Sequence, residues 1–160
     1  MKSAFDLSPA QKEKAQHGEK MFPLKRYITK LSDLYPAVTA HWHEEAELTL
    51  ITEGICTYHI HLENYEAQTG DILFIPPAEL HSISIEPGME MTSTTYVFHM
   101  DYLNADSADI CAVKYLNPIS RHTLMLPYII KKDHPVYPKL LKVFHEIEQA
   151  YSEMGPGYEM

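Results

Sequence analysis

The stretch His41-Trp42-His43-Glu44-Glu45-Ala46-Glu47, followed by Gly54, decides how this chain is read. Side chains alternate between faces along a strand, so His41 and His43 share one face and Glu47 returns to it. Thr49 and Ile51 continue that face and are expected to line whatever it encloses. A second stretch, Gly70-Asp71-Ile72-Leu73-Phe74-Ile75-Pro76-Pro77-Ala78-Glu79-Leu80-His81, reads as a turn, a strand, a proline corner and a return into sheet at His81. Three histidines and one carboxylate form a competent ligand set for a borderline or hard divalent metal such as zinc, nickel or iron. The same four groups can instead line a polar pocket that hydrogen-bonds a small effector. Glu45 falls on the shared face as well. An unpaired buried carboxylate is costly, so either a bend turns it outward or a polar ligand meets it. Trp42 points the other way and is expected to pack against the N-terminal strand.

Outward from these stretches, the chain reads as β from Phe22 to about Tyr102. Candidate strands are Leu24–Leu31, His41–Thr52, Ile55–His61, Tyr65–Ala67, Asp71–Ile75, His81–Ile85 and Met91–Met100. Turn signals separate them at Glu53-Gly54, Leu62–Asn64, Thr69-Gly70, Pro76-Pro77 and Pro87-Gly88. Short strands at regular spacing point to an all-β sandwich or barrel. A short helix is expected over Ala10–Gln16, with Ser8 as cap, Pro9 in the first turn and Gly18 as stop. Past Asp101 the pattern changes. Ser107–Val113 reads as a short helix and Pro135–Ser152 as a longer one. Leu140, Phe144, Ile147 and Tyr151 form an apolar helical stripe there, which either covers the barrel or meets the same helix of a second chain. The expected organisation is a helical extension over 1–20, a barrel over 21–104 and a helical segment over 105–160.

Composition narrows the function. The chain has 160 residues and a formal net charge of −9, which repels phosphate backbones. The basic cluster Lys131-Lys132 is too small to hold nucleic acid. Two cysteines, Cys56 and Cys111, without CxxC spacing suit a reducing cytoplasm and are expected to be packing thiols. The polar, lysine-bearing N-terminus is no secretory signal, and no run of about 18 apolar residues exists to span a membrane. No Ser–His–Asp or Cys–His nucleophile arrangement stands out. His59 and His61 repeat the H-x-H pattern without a nearby carboxylate in sequence and are expected to face solvent.

At His41, His43, Glu47 and Gly54 the chain resembles the first cupin motif, G-x5-H-x-H-x3,4-E-x6-G, with Tyr35 in place of its first glycine. At Gly70, Pro76 and His81 it resembles the second, G-x5-P-x-G-x2-H-x3-N, with Ala78 and Ile85 at the second glycine and the asparagine. The resemblance implies a double-stranded β-helix, the jelly-roll-like cupin barrel, with a short N-terminal helix and C-terminal helices. All four of the family's metal positions carry competent residues. Over roughly residues 20–160 the string HWHEEAELTLITEG…GDILFIPPAELHSI is similar to the N-terminal sensor cupin of AraC-type transcription regulators. That likeness implies a small polar effector bound by His41, His43, Glu47, Thr49, His81 and Tyr58, and a homodimer formed through the C-terminal helix. It also implies DNA binding only through a separate C-terminal domain that this chain does not carry, in the cytoplasm. AraC-type sensors often keep these histidines without using a metal, which favours the effector pocket over the metal site. The alternative is a stand-alone metal-dependent cupin enzyme of dioxygenase or isomerase type.

Overall fold

The computed structural model describes residues 7–103 and 109–159. The strands in chain order are β1 (Leu24–Leu31), β2 (Ala37–His41), β3 (Ala46–Ile60), β4 (Glu63–Gln68), β5 (Ile72–Ile75), β6 (His81–Ser84), β7 (Met91–Phe98) and β8 (Ile129–Ile130). Strand β3 belongs to two antiparallel sheets. Its first part lies between β7 and β5, in the order β1-β7-β3-β5-β8. Its second part pairs with β4 and β6, and β6 also pairs with β2.

The turn expected at Glu53-Gly54 is instead a bulge within one strand. Register with β7 shifts between Ile51 and Glu53, and Gly54 adopts a φ of +82°. A Cβ at Gly54 would stand 1.9 Å from the Glu90 carbonyl oxygen, so only glycine lets the backbones approach. The kink carries β3 from one sheet to the other, so a single strand replaces the two that were expected.

Alternation sorts the side chains into two cores. Ile51, Tyr58, Ile60, Leu73, Ile75 and Met91 fill the barrel interior. Ala46, Leu50, Ile72, Tyr96 and Phe98 face outward into a second core beneath the helices. Both faces of the first sheet are therefore buried, so Ala46–Ile51 of β3 are buried or nearly so on either side, including the polar Glu47 and Thr49.

The helix α2 (Tyr137–Glu153) matches the expected one closely, with Pro138 in its first turn and Met154 in the left-handed conformation at its end. Its stripe covers the barrel: Phe144 is 2% exposed, and Leu140, Ile147 and Tyr151 pack on the outer core beside Tyr96. Arg26 and Tyr96 both donate to the Glu148 carboxylate, at 2.6 and 2.5 Å, which ties β1 and β7 to the helix. Of the helix expected over Ser107–Val113, Ser107 and Ala108 lie outside the described residues. A π-helical turn, Ala112–Leu116, then runs into the α-helical turn α1 (Asn117–Ser120). Among the described residues no helix is long and apolar enough to cross a membrane.

The helix expected over Ala10–Gln16 does not form. Only a 3-10 turn, Pro9–Gln11, is present, and Ser8 makes no side-chain cap. Beyond it the chain lies parallel to Trp42: the Trp42 N–H donates to Gln11 O at 3.1 Å, and the Glu13 N–H donates to Trp42 O at 2.9 Å. Trp42 Nε1 donates to Ser8 O, and Lys12 reaches Glu44 and the indole face. A helix of about seven residues is marginal alone, and docking on Trp42 satisfies the same backbone groups by tertiary contact.

Candidate functional site

His41 ends β2, where its backbone is paired with His81 at the start of β6. His43 lies in the bend before β3, and its carbonyl accepts the Ala78 N–H at 2.8 Å. Glu47 sits on the inward face of β3. The expected convergence of these four side chains is therefore present, although His41 and His43 do not share a strand with Glu47. A bend and two strand ends bring them together. Ligand-capable atoms of all four lie within 4.8 Å of one another, and three of the residues are buried.

The hydrogen bonds orient all three rings in the same way. Nδ1 of His41 donates to Thr39 O at 2.8 Å, Nδ1 of His43 to Glu45 O at 3.0 Å, and Nδ1 of His81 to Glu79 O at 2.8 Å. A carbonyl can only accept, so each Nδ1 carries hydrogen and each neutral ring keeps its lone pair on Nε2. Nε2 of His43 and of His81 stand 3.0 and 3.5 Å from Glu47 Oε1. Lone pairs and a carboxylate facing one another require a positive charge between them. Anchoring one ring nitrogen on a main-chain carbonyl is also how metal-binding histidines are oriented. Ligands about 2.1 Å from a common ion keep roughly 3–4.2 Å between themselves, close to the spread here. The group fits a divalent ion and could hold one.

Charges within the cluster are strongly coupled. Burial opposes ionisation of Glu47, but His81 and His43 hold its pKa well below the usual carboxylate range. Burial opposes a proton on His81, yet the Glu47 carboxylate outweighs it and raises the pKa. Burial, then the neighbouring His81, lower that of His41. His81 is thus the ring favoured to hold a proton against Glu47.

A cavity of about 180 Å³ opens above the cluster, larger than the roughly 150 Å³ that accepts a benzene-sized molecule. His41, Glu47 and His81 form its floor, and Val38, Ile83 and Val97 give it an apolar wall. Two expected ligand residues stand elsewhere. Thr49 is fully buried and hydrogen-bonded to Thr95, which does line the cavity. Tyr58 is fully buried in the barrel, where desolvation and nearby Glu47 raise its pKa. Ile51 likewise lies in the interior core. Glu45 is turned aside as expected, partly exposed, with Oε2 3.7 Å from His43 Nδ1.

Besides Val38, Ile83, Thr95 and Val97, the polar lining residues Glu13, His17, Tyr27 and Thr29 escape the sequence reading. Tyr27 and Thr29 follow period two with buried Leu31 on β1, a signal that was available. Glu13 and His17 had none, because their i, i+4 spacing looks helical and only docking on Trp42 carries them to the cavity mouth.

His59 and His61, expected to face solvent, are partly exposed, and both are engaged by neighbouring side chains. His59 joins Asn64 and Ser84, at 2.7 and 2.8 Å. His61 contacts the carboxylate of buried Glu79, which also accepts Tyr128 Oη at 2.8 Å and lies 3.1 Å from His122 Nδ1. The Pro76–Leu80 corner thus holds His81 through the Glu79 carbonyl and the C-terminal segment through its carboxylate. Ala78, at the motif's glycine position, keeps a left-handed φ of +58°.

Comparison with known proteins places the chain. The profile of the AraC-like ligand binding domain matches residues 33–156, and the chain belongs to that family. It is 32% identical over 164 residues to the uncharacterized HTH-type transcriptional regulator YdeC of Bacillus subtilis (strain 168), covering 98% of this chain and 53% of that protein. The chain spans about half the length of the curated relative it matches. Similar solved structures include a cupin protein from Bacteroides fragilis, 24% identical with a TM-score of 0.45, covering 54% of this chain and 70% of that one. A cupin-like protein from Thermotoga maritima is 20% identical with a TM-score of 0.44, covering 48% and 58%. The polyketide cyclase RemF from Streptomyces resistomycificus is 20% identical with a TM-score of 0.43, covering 47% and 54%.

Proposed function

We propose that this chain is the effector-sensing part of an AraC-type transcription regulator, acting in the cytoplasm, and that a divalent ion forms the floor of its effector site. The observation that carries this is the set of three histidines, each with Nδ1 tied to a carbonyl, meeting at Glu47 beneath a cavity sized for a small polar molecule. Zinc, nickel or iron held by His41, His43, Glu47 and His81 would supply a Lewis-acidic anchor for an effector oxygen. Thr95, backed by Thr49, presents a hydroxyl to the cavity, while Tyr58 shapes the barrel beneath it. With all three rings neutral, the Nε2 lone pairs face the Glu47 carboxylate as acceptors; a proton on His81 relieves one of these contacts, whereas a divalent ion would satisfy all four groups together. Zinc titration of tag-free protein tests it: near-stoichiometric uptake lost in His43→Ala is expected, and equal uptake by both proteins refutes the site.

DNA binding belongs, on this reading, to a separate domain. With a net charge of −9 the 160-residue chain should give no sequence-specific gel-shift at low salt. Sequence-specific retention would refute the division. Dimerisation through α2 must use the face away from the barrel, where Val136 and Val143 are exposed. Val143→Glu should shift sedimentation from dimer to monomer with the fold intact. A second reading, a metal-dependent enzyme, draws support from Glu13 and His17, which place acid–base groups over the ligand cluster. Two helix-turn-helix patterns in the downstream coding sequence would decide for the regulator.

A further inference from the structure

His17 is 6% exposed, packed against the His43 ring at a centroid distance of 5.2 Å, and lines the cavity. Its Nδ1 is 2.8 Å from Tyr27 Oη. Its Nε2 is buried with no hydrogen-bond partner, although Glu13 Oε2 lies 3.2 Å away, close but out of line. Buried polar atoms are rarely left in this state, so the site is built for something more. The same Glu13 oxygen is 3.7 Å from His41 Nε2, which places the pair directly beside the ligand cluster.

The tautomer follows from these neighbours. Were Nδ1 the donor to Tyr27, the Nε2 lone pair would face a carboxylate oxygen. With Tyr27 donating to the neutral ring, Nε2 carries the hydrogen; a charged ring carries hydrogen at Nε2 as well and donates its Nδ1–H to Tyr27. The outer cavity thus offers one unspent N–H donor beside one carboxylate acceptor. A group that only donates, such as an ammonium, meets Glu13 but leaves His17 unpaired. A group that only accepts, such as a carboxylate, meets His17 but faces the Glu13 charge. A hydroxyl serves both, accepting from His17 and donating to Glu13.

We infer that Glu13 and His17 form the specificity half of the pocket and select a small hydroxylated acid. Its hydroxyl bridges the pair, its carbon skeleton rests on Val38, Ile83 and Val97, and its carboxylate reaches the floor of His41, Glu47 and His81. This rests on the ion-bearing reading of that floor. Neither residue belongs to the ligand set, and both come from a segment docked on the barrel through Trp42, Glu44, Tyr27 and the His43 ring.

Two matched probe sets test it on the zinc-loaded chain: lactate, propionate and alanine; malate, succinate and aspartate. Within at least one set the hydroxy acid should bind about tenfold more tightly than both counterparts, as expected for one charge-assisted hydrogen bond. Glu13→Ala and His17→Phe should each shrink that preference below about threefold while leaving zinc stoichiometry unchanged. Zinc uptake is measured separately, so failure of the floor shows as no uptake and failure of this inference as uptake without hydroxyl preference. With no uptake, the hydroxy acid must still lead in metal-free protein. Equal binding within both sets, no binding by any probe, or a preference that survives both variants would overturn the inference.

Discussion

Replacing Glu47 by Gln isolates the electrostatic centre of the site. The amide matches the carboxylate in size, so packing is kept while the charge is lost. Glu47 is 9% exposed and lies 3.0 and 3.5 Å from Nε2 of His43 and His81. In the variant His81 keeps its burial without its counter-charge, so its pKa should fall from above its ordinary 6.5 to below it. The pH window follows from both partners. A raised His81 pKa contributes stability fully present below pH 6.5 and lost as pH rises through the folded value. A depressed Glu47 pKa contributes stability present above 4.5 and lost as pH falls through the folded value. Both contributions are engaged between these limits, so the variant should differ most near pH 5.5. Removing one partner of a buried pair costs about 3–5 kcal/mol. At roughly 2–4 °C per kcal/mol for a domain of this size, Tm should drop by roughly 6–20 °C at pH 5.5, and by less at pH 8. Metal-free thermal melts at the two pH values, with an NMR titration of the His81 ring, make the measurement. A His81 that still titrates above 6.5 in Glu47→Gln, or a Tm loss equal at both pH values, would refute the coupling.

Zinc affinity should fall by about tenfold per pH unit below the raised His81 pKa, because one proton must leave on binding; a flat calorimetric profile from pH 8 to 6 counts against it. Phe144→Ala should cost about 3–5 kcal/mol in denaturant melts, since the ring fills the core under α2; a loss under 1 kcal/mol would free the helix from the barrel. Ala78→Gly should stabilise by up to about 1 kcal/mol by relieving a left-handed φ, and a lower Tm would show that the methyl group has a packing role. At pH 8 a thiol reagent should label exposed Cys111 at once and Cys56, buried and pushed up to about 12, only on unfolding; fast labelling of both thiols would contradict the packing of Cys56.

The sequence alone was enough for the barrel and for the four-residue cluster. Period-two alternation and turn residues are local signals, and His41, His43, Glu47 and His81 sit at spacings that only converge if the strands fold back on each other. The apolar stripe of α2 was equally legible, but its partner was not: amphipathicity shows that a face is buried, and only packing against Tyr96 shows where. Tertiary structure decided three further matters. Gly54 became a bulge because the Glu90 backbone approaches there, which no property of Glu53-Gly54 announces. Residues 10–16 did not form the expected α-helix because Trp42, some thirty residues away, pairs with the backbone of Gln11 and Glu13. Glu13 and His17 joined the cavity for the same reason. Local propensity is set by neighbours a few residues apart, whereas this half of the pocket depends on contacts between segments far apart in sequence.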